Sequence, residues 1–359
     1  MTRKDIRIEV PVLARVEGEG ALELNIIDGK LHDLHLRIYE PPRYFEKFLE
    51  GRSYTEVSDI VARICGICPV AYQMSAIHAI ESIFQITPDP WVRSMRRLMY
   101  CGEWIESHAL HIHLLAAPDF LGFDSAITMA EKYPDEVRRG LKLQNLGNRI
   151  VGFIGGRSVH PVSVCAGGFT FAPDINNAEI LLNELQESID DAKNLLQWTT
   201  SIDFPDDAQD FTCVAMHHPD EYPMNEGRII SSLGLDIAIS DYQLHFNETH
   251  VPHSTALHSH FNGKPYLVGP LARVNLNYTQ LPAEIRQVIE DGNIQFPSNN
   301  MFHSIVARAA EIYFAMLEAI KILKQYKVPQ QSCYSPTPRA GIGYGCTEAP
   351  RGILWHRYE

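Results

Sequence analysis

The sequence predicts an α+β fold: a mainly helical core with small antiparallel sheets at the N-terminus. Three observations carry this. Alternating apolar and polar residues fill much of the first 40 positions. Beyond them, long stretches repeat apolar residues at spacings of three and four. No internal repeat, low-complexity tract or linker marks a boundary, so residues 1–359 read as one domain, with a β region at 1–40 and a helical body at 41–359.

Residues 7–10 alternate, and 21–27 and 30–39 are strand-like runs separated by Asp28-Gly29, a dipeptide suited to a tight hairpin turn. A first helix is expected over 54–62 and a second over 69–83, where Tyr72, Met74, Ile77, Ile80 and Ile83 are spaced for it. Residues 92–116 form a long amphipathic pattern. Asn177 is placed to cap a helix through Trp198. Ser298 or Asn299 could cap another, whose Ile305, Ala309, Ile312, Met316, Ile320 and Leu323 cover most of its circumference and predict burial. Gly- and Pro-rich connectors lie at 152–168 and 329–345.

The net charge of −13 excludes a phosphate-backbone or anionic-membrane binder, so no nucleic acid partner is expected. No apolar stretch is long enough to span a bilayer. The charged opening at 1–10 has no apolar signal region, which places the chain in the cytoplasm. The seven cysteines are too scattered for a disulfide framework. Cys333 and Cys346 read as ordinary loop cysteines. No Gly-x-Gly-x-x-Gly fingerprint follows a strand, so a nicotinamide cofactor would bind elsewhere.

Arg63-Ile64-Cys65-Gly66-Ile67-Cys68-Pro69 is the most informative local sequence. Pro69 suits the first turn of a helix, where its missing N–H is no loss. Cys68 then stands at the N-cap, facing the positive end of the helix dipole, which favours a thiolate and metal binding. Gly66 is expected to let the chain turn so that both sulfurs face one ion. Alone, the motif is equally half a zinc site, a redox pair or part of an iron–sulfur site. A zinc site would need further donors, of which the helix carrying His108, His111 and His113 is one source. A thioredoxin-like pair should follow a strand, and the residues before Cys65 read as helical.

In order along the chain, several motifs resemble the nickel–iron hydrogenase large subunit of the cytoplasmic, NAD(P)-linked or sulfhydrogenase alpha type. They are Arg15-Val16-Glu17-Gly18, Arg43-Tyr44-Phe45-Glu46 with Leu49-Glu50-Gly51-Arg52, the Arg63–Pro69 motif, Ser107-His108 through Asp119, Gly155-Gly156-Arg157 with His160, Gly167-Gly168, and Glu348-Ala349-Pro350-Arg351-Gly352. The resemblance implies a helical subunit docked on an iron–sulfur small subunit. It further implies flavin- and NAD(P)-binding diaphorase partners, maturation proteins, and reversible splitting of dihydrogen. Cys65 resembles a terminal nickel ligand and Cys68 a nickel–iron bridging thiolate, at a centre whose iron carries CO and cyanide. Glu17 resembles the carboxylate that takes the proton from the nickel side, and Glu46 a ligand of a buried magnesium ion. Arg351 resembles the guanidinium over the open metal position, with Asp119 helping to fix it and Pro350 lining the pocket. Read without the resemblance, Glu17, Glu46 and Arg351 are ordinary surface charges.

Two departures stand out. Tyr72 occupies the place of a histidine that can hydrogen-bond the bridging sulfur; it keeps a donor but does not titrate near neutral pH. The family's C-terminal Cys-x-x-Cys-x-x-His motif does not appear before Glu359. The 359 residues thus offer two of four thiolates and are expected not to hold a complete active centre alone. A tail beyond Glu359 is favoured over a split subunit or a relative without metals. The alternative function is a non-catalytic structural or assembly-stage subunit, akin to the quinone-site subunit of respiratory complex I.

Overall fold

The computed structural model describes residues 5–335 and 337–359. Backbone contacts divide the chain into two units: Met1–Lys47 with Gln243–Pro265, and Phe48–Tyr242 with Tyr266–Glu359.

The smaller unit is built on strands Ile6–Val10, Gly20–Ile27 and Lys30–Ile38, paired antiparallel in that order. Of the charged opening, residues 1–4 lie outside the described residues. The turn between the second and third strands has φ of 51° at Asp28 and 71° at Gly29. Two successive left-handed residues make the hairpin turn whose twist matches the strands. A second hairpin, Phe246–Val251 with Ser254–Phe261, was not anticipated from the sequence. Its Thr255 hydroxyl donates to the carbonyls of Ile38 (3.0 Å) and Glu40 (2.9 Å), tying it to the end of the third strand.

The larger unit is helical, with short sheets. Ser53 and Glu56 form a reciprocal capping box that starts the Tyr54–Val61 helix. The Pro69–Phe84 helix, here called the cysteine helix, is buried along most of its length. The expected 92–116 helix is instead Pro90–Leu110, N-capped by Asp89, followed by a wide π turn over His111–Ala116. That turn lies just ahead of Pro118, whose missing N–H interrupts the helical ladder. The expected 177–198 helix is two helices, Ile175–Glu187 and Ile189–Thr200, broken at Ser188. Asp174, not Asn177, caps the first, because its carboxylate reaches the Asn176 N–H at 2.8 Å. Asn300, one residue beyond the expected caps, accepts from Phe302 N–H and starts a 3₁₀ turn leading into the buried Ser304–Lys324 helix.

The Pro90–Leu110 and Pro134–Gly155 helices cross in backbone contact. A Cβ on Gly147 would stand 2.5 Å from the Glu106 nitrogen and the Gly102 oxygen, and one on Gly102 would stand 2.9 Å from the Gly147 oxygen. Among the described residues no helix is long and apolar enough to cross a membrane. Gly147→Ala should destabilise the chain by about 1–3 kcal/mol, since neither backbone can yield to the added methyl. Denaturant unfolding checks this, and an unchanged midpoint would mean the helices can part at no cost.

Candidate metal centre

The chain enters the cysteine helix through the 3₁₀ turn Ala62–Ile64 and an extended Cys65. Cys68 is the N-cap and Pro69 the first helical residue, as the motif predicts. The Cys65 sulfur accepts N–H groups from Ile67 (3.4 Å) and Cys68 (3.1 Å), and the two sulfurs converge to 2.6 Å. Gly66 adopts no left-handed φ and a Cβ there would meet open space, so the two amides, not glycine freedom, shape the turn. Cys68 holds its proton firmly, because it hydrogen-bonds the Cys65 sulfur and is buried. The pair therefore shares a proton until a cation replaces it.

Arg351 supplies a positive charge to this pair, its Nη2 lying 2.9 Å from the Cys68 sulfur and 3.4 Å from that of Cys65. It sits in the tight turn of a hairpin formed by Gly343–Ala349 and Gly352–Tyr358. The hairpin lies directly on the cysteine helix. Side chains at Gly343 and Gly345 would run into the carbonyl oxygens of Ala79 and Ser75, and the Ser75 and Thr347 hydroxyls meet at 2.8 Å. Gly352, at φ 136°, closes the turn against Val268.

What fixes the turn is a buried ion network whose central pair, Arg273 and Glu311, belongs to no sequence motif. Arg273, fully buried, donates bidentately to Glu311 (both 2.8 Å) and once to Glu348 (2.9 Å). Its remaining hydrogen bonds go to the carbonyls of Ala349 (2.8 Å) and Pro350 (3.2 Å). Its guanidinium stacks 4.5 Å over the Trp104 ring, whose N–H donates to the Glu348 carbonyl. One cation thus faces two carboxylates. Burial would raise Glu311, but Arg273 and His108 outweigh it and hold the carboxyl down to about 2. Burial wins at Glu348, pushed up to about 7 despite Arg273. The stable arrangement is one ionised and one near-neutral carboxyl around one guanidinium.

His108 belongs to the same network. Arg308 Nη1 donates to its Nδ1 at 3.1 Å, so its Nε2 carries the hydrogen donated to Glu311 at 2.9 Å. Burial holds this neutral ring down to about 4. Burial and the charge of Arg308 hold His111 to about 2.

Two further carboxyls serve the cysteine helix. Glu103 accepts the N–H groups of Val70 (2.6 Å) and Ala71 (3.1 Å), capping the helix from outside, and burial with the charge of Glu106 pushes its pKa well up. Burial and the Cys65 sulfur push Glu106 to about 8, while Asn148, donating at 3.4 Å, pulls the other way. The only local signal for these groups is a charge inside an otherwise apolar helix, as with Glu311 in Ala-Arg-Ala-Ala-Glu-Ile-Tyr-Phe.

The structure brings Cys65, Cys68 and Arg351 together. Pro350 is buried in the Arg351 turn, and Tyr72 stands one helical turn beyond Cys68 with its ring 5.9 Å from that of His356. Asp119 is exposed on the short Ala117–Phe120 helix. Glu17 and Glu46 lie in the smaller unit, both exposed. Among the described residues the one three-ligand group of His, Cys, Asp or Glu is His218, Glu221 and Glu226, and Glu46 is not part of it. Cys346 lies in a strand, fully buried, and Cys333 in an isolated bridge to Gly168, so neither is a simple loop cysteine.

Two converging sulfurs at a helix N-terminus under a guanidinium form a donor pair that suits a soft metal ion. A model of the nickel-dependent hydrogenases matches residues 43–138. The chain is 32% identical to the alpha chain of sulfhydrogenase 1 from Pyrococcus furiosus, covering 97% of this chain and 82% of the relative. The alpha chain of sulfhydrogenase 2 from the same organism is 31% identical, over 98% of this chain and 84% of that one. The crystal structure of an NAD+-reducing [NiFe]-hydrogenase superposes with a TM-score of 0.85 at 24% identity, over 99% of this chain and 85% of that chain. The chain belongs to the nickel-dependent hydrogenase family, and its fold is that family's large-subunit fold.

Arg273→Met leaves two buried carboxyls and two turn carbonyls without their donor. It should cost about 3–5 kcal/mol of stability, read by denaturant unfolding. A loss below about 1 kcal/mol would show that the turn is held by something else.

Proposed function

We propose that this chain is the catalytic subunit of a multi-subunit hydrogenase, interconverting dihydrogen with two protons and two electrons. The observation that carries the reading is the approach of Arg351 to the converged sulfurs of Cys65 and Cys68. The donor set fits: soft thiolates suit nickel and iron, and the shared proton is what a metal ion displaces. Cys65 and Cys68 would hold the metals through their two sulfurs. When bound, the nickel–iron pair, with CO and cyanide on iron, supplies the centre at which dihydrogen is polarised and split.

The chain's own residues do the rest. Arg351 presents a fixed positive charge at the open side of the sulfurs, as hydrogen-bond donors do wherever charge develops in a dry site. Pro350, buried in the same turn, lines that side, and Asp119 is the carboxylate the family resemblance assigns to fixing Arg351. A proton leaving the sulfur pair needs a carboxyl poised near neutrality. Glu106, whose carboxyl burial and the Cys65 sulfur hold up, is one candidate, and Glu17 is the group the family resemblance assigns. Tyr72, one helical turn beyond Cys68, keeps an O–H donor in place of the histidine the family resemblance implies.

Electrons leave to iron–sulfur clusters on a small subunit, and NAD(P) binds with flavin on diaphorase partners in the cytoplasm. The beta chain of the NAD-reducing hydrogenase HoxS from Cupriavidus necator, 26% identical over the full chain, supports that acceptor.

Nickel and iron analysis of the intact complex, with dihydrogen uptake, tests the reading. Cys65→Ser should lose nickel. Arg351→Lys should keep it and lose turnover by roughly 10²-fold, since an ammonium cannot span both sulfurs. Metal-free complex with full turnover would sink the proposal. For Glu106, protonated below about 8 and ionised above it, Glu106→Gln should remove the limb of the pH–rate profile near that value and slow turnover by roughly 10²-fold. An unchanged profile would move the proton's first stop to another carboxyl.

A further inference from the structure

We propose that Cys165 and Cys333 form a reversible disulfide by exchange with small-molecule disulfides of the glutathione type. This inference is independent of the reading of the metal site. The two sulfurs lie 3.1 Å apart although 168 positions separate them in the chain, and both side chains are half-buried. The approach is built into the backbone. Cys333 bridges Gly168 antiparallel, Phe169 N–H donates to the Ser332 carbonyl (2.9 Å) and Tyr334 N–H to that of Gly167 (3.1 Å). Gly167 and Gly168, at φ 88° and 149°, are the only residue type that fits, since a Cβ on either would run into the Tyr334 or Ser332 oxygen.

The Cys165 side is equally fixed. Gly167 N–H donates to Glu81 at 2.7 Å, Glu81 pairs bidentately with buried Arg96, and Arg96 reaches the Cys165 carbonyl at 3.5 Å. Bonding needs the sulfurs to close by only about 1 Å. A metal ion is the poorer occupant, because among the described residues no third His, Cys, Asp or Glu donor joins the pair.

The exchange balances as follows. One cysteine attacks one sulfur of the small disulfide, releasing one thiol and forming a mixed disulfide. The other then attacks the protein sulfur of that mixed disulfide, releasing the second thiol and leaving the Cys165–Cys333 bond. The protein loses two electrons and two protons, and the small disulfide becomes two thiols. The bond would fasten the segment ahead of the Gly343–Ala349 strand to the short ladder of Val164–Cys165 and Gly168–Phe169, which Glu81 ties to the cysteine helix.

Peptide mapping of the intact complex, treated with oxidised glutathione, alkylated and digested without reductant, tests this. The expected product is one species joining the Cys165 and Cys333 peptides, lighter by two hydrogens and reversed by dithiothreitol. Cys333→Ser and Cys165→Ser should each abolish this species and leave a stable glutathione adduct on the cysteine that remains. The wild-type map decides even if a variant fails to fold. Separate alkylation of both thiols after oxidant, or persistent glutathione on either wild-type residue without linkage, overturns the proposal.

Discussion

The guanidinium of Arg273 is the constraint on which the rest of the larger unit depends. It is buried in full, and a buried cation survives only when every donor is met. Here its donors go to Glu311, to Glu348 and to two carbonyls of the turn that presents Arg351. Three distant segments are thereby pinned to one planar group: the Pro270–Asn277 helix, the Ser304–Lys324 helix and the C-terminal hairpin. Burial opposes ionisation of both carboxyls: Arg273 and His108 hold Glu311 down, whereas at Glu348 burial outweighs Arg273 and pushes it up. His108, neutral between Arg308 and Glu311, links a second guanidinium to the network.

Local chemistry made the N-terminal sheet legible. Alternation set the strands, and Asp28-Gly29 specified the turn. The cysteine helix was equally readable, because Pro69 and Cys68 act within one turn of each other. Boundaries were misplaced where a competing local donor was nearer, as at Asp174 and Asn300, or where Ser188 broke a continuous apolar pattern. The hairpin of Phe246–Val251 and Ser254–Phe261 carries His, Asn, Glu and Thr in place of an apolar face, so it gave no strand signal.

The candidate site divides the same way. Cys65 and Cys68 announce themselves by spacing, and Arg351 came from resemblance to a family motif. Arg273, Glu311, Glu103 and Glu106 escape sequence reasoning because they form no motif; only the fold assembles them. The glycines of the 341–345 stretch read as part of a Gly- and Pro-rich connector. They are instead the contact through which a strand rests on a helix backbone, and only a three-dimensional neighbour could disclose that use.

The π turn after Leu110 has one more consequence. A wide turn holds an additional residue, and the Ala117 N–H reaches back to Ile112 while His113 Nδ1 is bonded to the Ala109 carbonyl at 2.9 Å. The two halves of this long rod are therefore out of phase. Its first half keeps His108 aimed inward at Glu311, and its second half is free to rotate Asp119 toward the surface. A straight helix would have coupled those two directions rigidly. An inserted residue uncouples them, so the outer carboxylate could be re-aimed over generations without disturbing the interior bond.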